Sequence, residues 1–171
     1  MNKKILFNII GFYLCWWISI YAAANENYYL GPLSVFLFLI IHIFKIMSYN
    51  KEIFFLLICY LIGFLIDTIF LRLEIIEYNG YLSDKFHVAP LWVTCLWVCF
   101  GSSISHSFRW FKRRYLTLAF LGSISGPIIY FSASKAGALN FSVNNFHLFS
   151  IGLCWSLFLP CIVFISDCLV D

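Results

Sequence analysis

The residue best placed to do chemistry in this 171-residue chain is Asp67, in the run Ile53 to Arg72, IFFLLICYLIGFLIDTIFLR. It is an acid set deep in an apolar run, with no charged neighbour to keep it in water. On a helix starting at Ile53 it lies roughly 21 Å along, inside a hydrocarbon core about 30 Å thick. A carboxylate there costs about 2.5 to 3.5 kcal/mol on insertion scales, so it is expected to face a bundle interior or a wet cavity. In such a place it can hold a polar group or change its protonation. Gly63 lies one turn earlier on the same face. Trp92 and Tyr130, on the fourth and fifth apolar runs, fall at the same depth, with Arg72, His87, Ser132 and Lys135 just above. These residues predict an outward-facing pocket with one carboxylate, aromatic walls and a basic rim. The competing reading is structural: Asp67 buried and paired with Arg72, Lys135, Tyr130 or carbonyls freed by Pro127.

A second set, His42, His106 and Ser102, falls toward the opposite side of the membrane. His106 ends a stripe of Cys95, Cys99 and Ser102 at helical spacing. Histidines on a bundle face are mostly hydrogen-bonded structure, and the chain lacks repeated short histidine spacings, so no metal site is expected. The seven cysteines all lie in apolar runs without a CxxC pair and read as small hydrophobes. No nucleophile motif, phosphate-binding glycine loop or haem-type histidine pair is present, so no cofactor is implied.

These residues need helices in lipid to position them. Hydrophobic residues make up 63% and charged residues 11%, against roughly 45 to 50% and 25% in soluble domains. Runs such as LSVFLFLIIHIF are apolar on all sides, whereas a membrane β-barrel would alternate. The expected fold is all-α: one polytopic transmembrane bundle over residues 1–171, with short loops and about six spans near 5–24, 30–47, 53–72, 90–108, 115–133 and 146–166. The first run also has features of a secretory signal, a basic start and an Ala22-Ala23-Ala24 end, but its length and its Trp16 and Trp17 favour a retained helix. Its Asn8, Gly11, Cys15, Ser19 and Ala22 form a small or polar stripe that should face other helices. Gly122 and Gly126 make a small-xxx-small contact surface, and Pro127 predicts a kink below Tyr130. The acid-rich stretch 73–89, with Asp84 and Lys85, is long enough to lie on the membrane surface.

A formal charge of +3 is too small to argue for nucleic acid. Topology explains the basic residues better. With the N-terminus inside, Lys3, Lys4, Lys45, Lys51, Arg109, Lys112, Arg113 and Arg114 are inside, and Arg72, Lys85 and Lys135 are outside. Eight against three predicts cytoplasmic termini.

The ordered pattern resembles the bacterial inner-membrane proteins grouped as domain-of-unknown-function family 2878. It rests on Asn8 and Trp16, His42, Gly63-x-x-x-Asp67, Pro90-Leu-Trp92, Leu96-Trp97 with Phe100, Gly126-Pro127 with Tyr130, Gly137-Ala138, Trp155 and Pro160. The chain departs from that pattern in its acid-rich loop after the third span and in Ser134-Lys135-Ala136, which bears on Lys135. The resemblance implies a multi-pass inner-membrane location and, through an association with fatty-acid-modifying enzymes, a tilt toward lipid chemistry. Three functions follow as expectations: an accessory protein handling or modifying lipid, with an acyl chain or head group as ligand; a small proton-coupled transporter; and a structural partner of another membrane protein. A six-span protomer could also associate with itself.

Overall fold

The structure is a computed structural model describing residues 3–47, 51–80 and 87–170. Within apolar runs every backbone N–H and C=O must be satisfied inside its own segment, so the chain forms helices. They are α1 (Lys3–Ala24), α2 (Leu30–Lys45), α3 (Lys51–Arg72), α4 (Leu91–Ser107), α5 (Tyr115–Lys135) and α6 (Asn145–Leu169). Two-residue strands β1 (Glu77–Tyr78) and β2 (Leu139–Asn140) lie in the loops before α4 and α6. Four helices, α1, α3, α5 and α6, are long and apolar enough to cross a membrane, and α2 is a shorter apolar helix. The architecture is an all-α membrane bundle.

The central element is α4. It packs on α1, α2, α3 and α6, while α5 packs most extensively on α6. Its sequence suits that place: Gly101, Ser102, Ser103 and Ser105 are all buried and let neighbours approach closely. The peripheral helices carry the lipid-facing surface. On α3, Phe54, Leu57, Leu61, Leu65 and Ile69 are exposed, whereas Glu52, Phe55, Leu56, Cys59, Gly63 and Asp67 are buried. The α1 stripe of Asn8, Cys15, Ser19 and Ala22 is buried too, and Gly11 lies against Phe38.

Three local features differ from the linear reading or sharpen it. First, α3 begins at Lys51, which takes Glu52 into its first turn and buries it. Second, the chain after α3 does not simply lie on the surface. Ile75, Ile76 and Tyr78 are buried, and Glu77 and Tyr78 pair antiparallel with Asn140 and Leu139. Asp84 and Lys85 lie outside the described residues. Third, α5 runs as one helix through Pro127. A Cβ added at Gly152 would lie 2.9 Å from the Ser123 carbonyl, so α6 closes over the group the proline frees.

The basic residues Lys4, Lys45, Lys51, Lys112, Arg113 and Arg114 fall at one end, here the basic end. Arg72, Lys135 and the β1–β2 pair mark the far end.

The α5–α6 contact depends on glycine. A Cβ at Gly122 would meet the Trp155 carbonyl oxygen at 2.4 Å, a backbone atom with little room to yield. Gly122→Ala is expected to cost about 1 to 3 kcal/mol through overpacking. It should lower the thermal unfolding midpoint in detergent, while Leu116→Ala, at a lipid-facing position, leaves the midpoint nearly unchanged.

Candidate functional site

Two acids on one helix organise the interior. Glu52 and Asp67 are both fully buried on α3, about 22 Å apart along its axis.

At the far end, Asp67 is solvated by protein donors. Tyr78 and Tyr130 donate their hydroxyls to Oδ1 at 2.7 and 2.5 Å, and Trp97 donates Nε1–H to Oδ2 at 2.6 Å. Burial, reinforced by the Asp67 carboxylate, holds the Tyr78 phenol well above its ordinary range, so it remains a donor. Gly63 makes the arrangement possible, because a Cβ there would lie 2.0 Å from the Trp97 ring. Trp97 stacks on Trp155 with centroids 5.2 Å apart.

Of the residues expected around Asp67, Tyr130 and Gly63 are there. Trp92 stands one layer out: it packs against Tyr78 at 6.1 Å and donates Nε1–H to the Asn79 carbonyl. Arg72 donates to the His87 carbonyl, and Lys135 lies over the Phe131 ring, so the described contacts of both basic groups are elsewhere. The sequence reading missed Trp97 and Tyr78. Trp97 had a signal, a donor on α4 facing the gap left by Gly63. Tyr78 had none, since its loop read as surface.

At the basic end, His42 of α2, Glu52 of α3 and His106 of α4 converge with Asn8 of α1. His42 Nε2 lies 2.9 Å from Glu52 Oε1, and His106 Nε2 lies 2.9 and 3.1 Å from Oε1 and Oε2. His42 Nδ1 meets Asn8 Oδ1 at 2.9 Å, and Asn8 Nδ2 donates to the Ser102 carbonyl at 3.0 Å. His42, His106 and Ser102 are therefore one set, with Ser102 taking part through its backbone. Glu52 was missed because it follows Lys51 and reads as a water-facing helix end. Three potential ligand atoms, two imidazole nitrogens and a carboxylate oxygen, lie within 4.8 Å of one another. Sequence spacing gave no sign of a metal-type set because its members come from three different helices.

A third feature was not foreseen. Between α1 and α5, floored by α4 and α6, runs an apolar groove of about 600 Å³ lined by Phe12, Tyr13, Ser103, Ser107, Phe111, Ser125, Ile128 and Trp155, among others. It shares Phe12, Phe100, Ile129 and Trp155 with a chamber of about 70 Å³ whose walls include Trp92, Trp97 and Tyr130. Among the described residues, Ser103 Oγ, Ser107 Oγ and Trp155 Nε1 have no hydrogen-bond partner.

Fold and interior together define an α-helical membrane protein that crosses the bilayer several times and shelters ionisable groups at both ends. The chain belongs to a family described as a protein of unknown function, DUF2878, whose model matches residues 5–161. No curated protein and no solved structure matches it.

Each donor to Asp67 should matter for stability. Tyr78→Phe and Tyr130→Phe are each expected to cost about 1.5 to 3 kcal/mol, the range for a hydrogen bond to a charged group. Because both hydroxyls share Oδ1, the double variant should depart from additivity in reversible unfolding measured in mixed micelles. Lys135→Ala should stay within about 0.5 kcal/mol of the parent.

Proposed function

We propose that the protein binds an amphipathic membrane lipid in the groove between α1 and α5, as a lipid-handling or accessory component of its membrane. The observation that carries this reading is the groove wall, where three polar atoms, Ser103 Oγ, Ser107 Oγ and Trp155 Nε1, have no protein partner among the described residues. Trp155 is 6% exposed and Ser103 4% exposed, and neither Trp155 Nε1 nor Ser103 Oγ has a protein partner. A buried polar group without a partner costs about 1 to 3 kcal/mol, and a bound molecule carrying oxygen would recover that cost.

Size and setting agree with a lipid. A volume of about 600 Å³ lies within the roughly 300 to 1,000 Å³ of ligand pockets. The basic-end mouth holds Trp110 and Phe111, followed by exposed Lys112, Arg113 and Arg114. Aromatic rings and cations together favour an anionic head group at the interface. A head group held there would set the lipid's ester oxygens beside Ser107 and Ser103, with the acyl chain running on past Trp155 into the aromatic chamber. With the basic end cytoplasmic, as the basic-residue bias favours, the lipid comes from the inner leaflet of a plasma membrane.

On this reading Asp67 is not the contact residue. It pins Tyr130 and Trp97 as walls of the chamber into which the groove leads. The transporter alternative has weaker support, since between Glu52 and Asp67 the inward side of α3 presents Phe55, Leu56 and Cys59 in place of a polar relay. A purely structural role accounts for the Asp67 cluster but leaves the groove donors unexplained.

The test is labelling by phosphatidylglycerol with a photoactivatable acyl chain in lipid nanodiscs, mapped by mass spectrometry. Crosslinks should concentrate on groove-facing residues of α1 and α5. Ser125→Trp, filling the groove from α5, should lower them about tenfold, equivalent to about 1.4 kcal/mol of lost binding. Leu116→Trp, on the open lipid face, should not. Uniform labelling of all lipid-facing surfaces, unchanged by Ser125→Trp, would overturn the proposal.

A further inference from the structure

We infer that His42, Glu52 and His106 form a binding site for a divalent transition-metal ion at the basic end of the bundle. The argument begins with hydrogen-bond bookkeeping. Asn8 Nδ2 donates to the Ser102 carbonyl at 3.0 Å, and a carbonyl can only accept. That fixes the Asn8 amide with Oδ1 turned toward His42, so His42 Nδ1, 2.9 Å away, must carry the hydrogen. In the neutral imidazole the remaining nitrogen, Nε2, then presents a lone pair. It points at Glu52 Oε1, 2.9 Å away, which as a carboxylate oxygen also only accepts.

Two acceptors at that distance need a cation between them, either a shared proton or a metal. His106 Nε2 points at the same carboxylate from the other side. Asn8 thus does for His42 what carbonyls and carboxylates commonly do for metal-bound histidines: it fixes the tautomer and the ring.

The surroundings favour a cation independently of the donors. His42 lies in the last turn of α2 and His106 in the last turn of α4, where the negative ends of both helix dipoles fall. Glu52 sits in the first turn of α3, where the positive end steadies its charge. His42 and Glu52 side chains are fully buried, while His106 is 14% exposed, which leaves an approach from the basic end.

Two imidazoles and one carboxylate suit a borderline ion such as Zn²⁺ or Co²⁺; with no thiolate in the set, Cu(I) is disfavoured. Three protein ligands around a tetrahedral ion leave one position open, the arrangement of reactive zinc sites. With ligand bonds of about 2.0 to 2.1 Å, donor atoms stand about 3.3 Å apart in a tetrahedron. The set, with contacts from 2.9 Å and all donors within 4.8 Å, brackets that spacing. The ion would join α2, α3 and α4, and through Asn8 also α1.

The test uses the full chain purified in detergent with a tag free of histidine, stripped with chelator and titrated with Zn²⁺ and Co²⁺. One ion per chain is expected, with the visible d–d bands of tetrahedral Co²⁺. Asn8→Leu should weaken binding about 10- to 100-fold, as loss of a ligand-orienting partner does. Glu52→Gln should abolish binding over the same range. Should Glu52→Gln fail to give monodisperse protein, His106→Ala, at the partly exposed edge, serves the same purpose. Folded parent protein that takes up no ion would overturn the inference and leave a proton-sharing cluster. Undiminished uptake in the ligand variants would overturn it as well, by placing the ion elsewhere. Lipid labelling of the groove is a separate readout, so either proposal can fail without the other.

Discussion

The structure turns on the cost of an unsolvated carboxylate in a medium without water. Two acids lie buried on α3, and each must find inside the protein the hydrogen-bond partners that water would otherwise supply. Asp67 finds three neutral donors, Tyr78, Trp97 and Tyr130. Glu52 finds two histidines. These demands reach across the chain: satisfying Asp67 fixes α4 and α5 and draws the loop after α3 back into the bundle, and satisfying Glu52 fixes α2 and α4. Because lipid tails are as apolar as leucine side chains, such polar contacts and close packing, rather than apolar burial, hold helices together here.

The close packing is arranged around the same groups. Gly63 leaves the space that the Trp97 ring fills, and Gly122 and Gly126 leave the space for Trp155. Trp97 and Trp155 stack, so the far-end carboxylate, the aromatic chamber and the α5–α6 seam form one continuous structure. Trp155 is the point where the rigid part meets the groove, with one ring face on Trp97 and its N–H unmatched by any described protein group. The β1–β2 pair closes the far end by aligning Tyr78 with Leu139, which positions a loop hydroxyl at a helical carboxylate.

The two ends of the bundle satisfy their buried acids with different chemistry. Neutral donors around Asp67 make a closed, fully buried anchor. At Glu52 the partners are imidazoles, which change charge and bind metals, and one of them is partly open. The groove runs beside the second of these sites, with α4 contributing Ser102 and His106 to the cluster and Ser103 and Ser107 to the groove wall. Adjacent positions on one helix therefore serve the interior and the lipid-facing cleft.

Much of the architecture was legible in the residues alone. Length, composition and apolar runs determined a helical membrane bundle, because in lipid the backbone has few other ways to satisfy itself. A lone acid in such a run had to face inward, and Gly63 and Tyr130 were readable at its depth. The rest was out of reach for a physical reason. A helix apolar on every side carries little rotational information, so its inward face is marked only by the few polar residues it contains. Partners for those residues come from positions 10 to 94 residues away. Glu52 falls just before the apolar run and joins the interior only because α3 begins at Lys51, and Tyr78 looked like surface loop until β1 met β2. The groove has no linear trace at all, being the space that the packing of four helices leaves unfilled. Sequence determined the medium and the elements; tertiary structure decided which polar groups meet and where the bundle stays open.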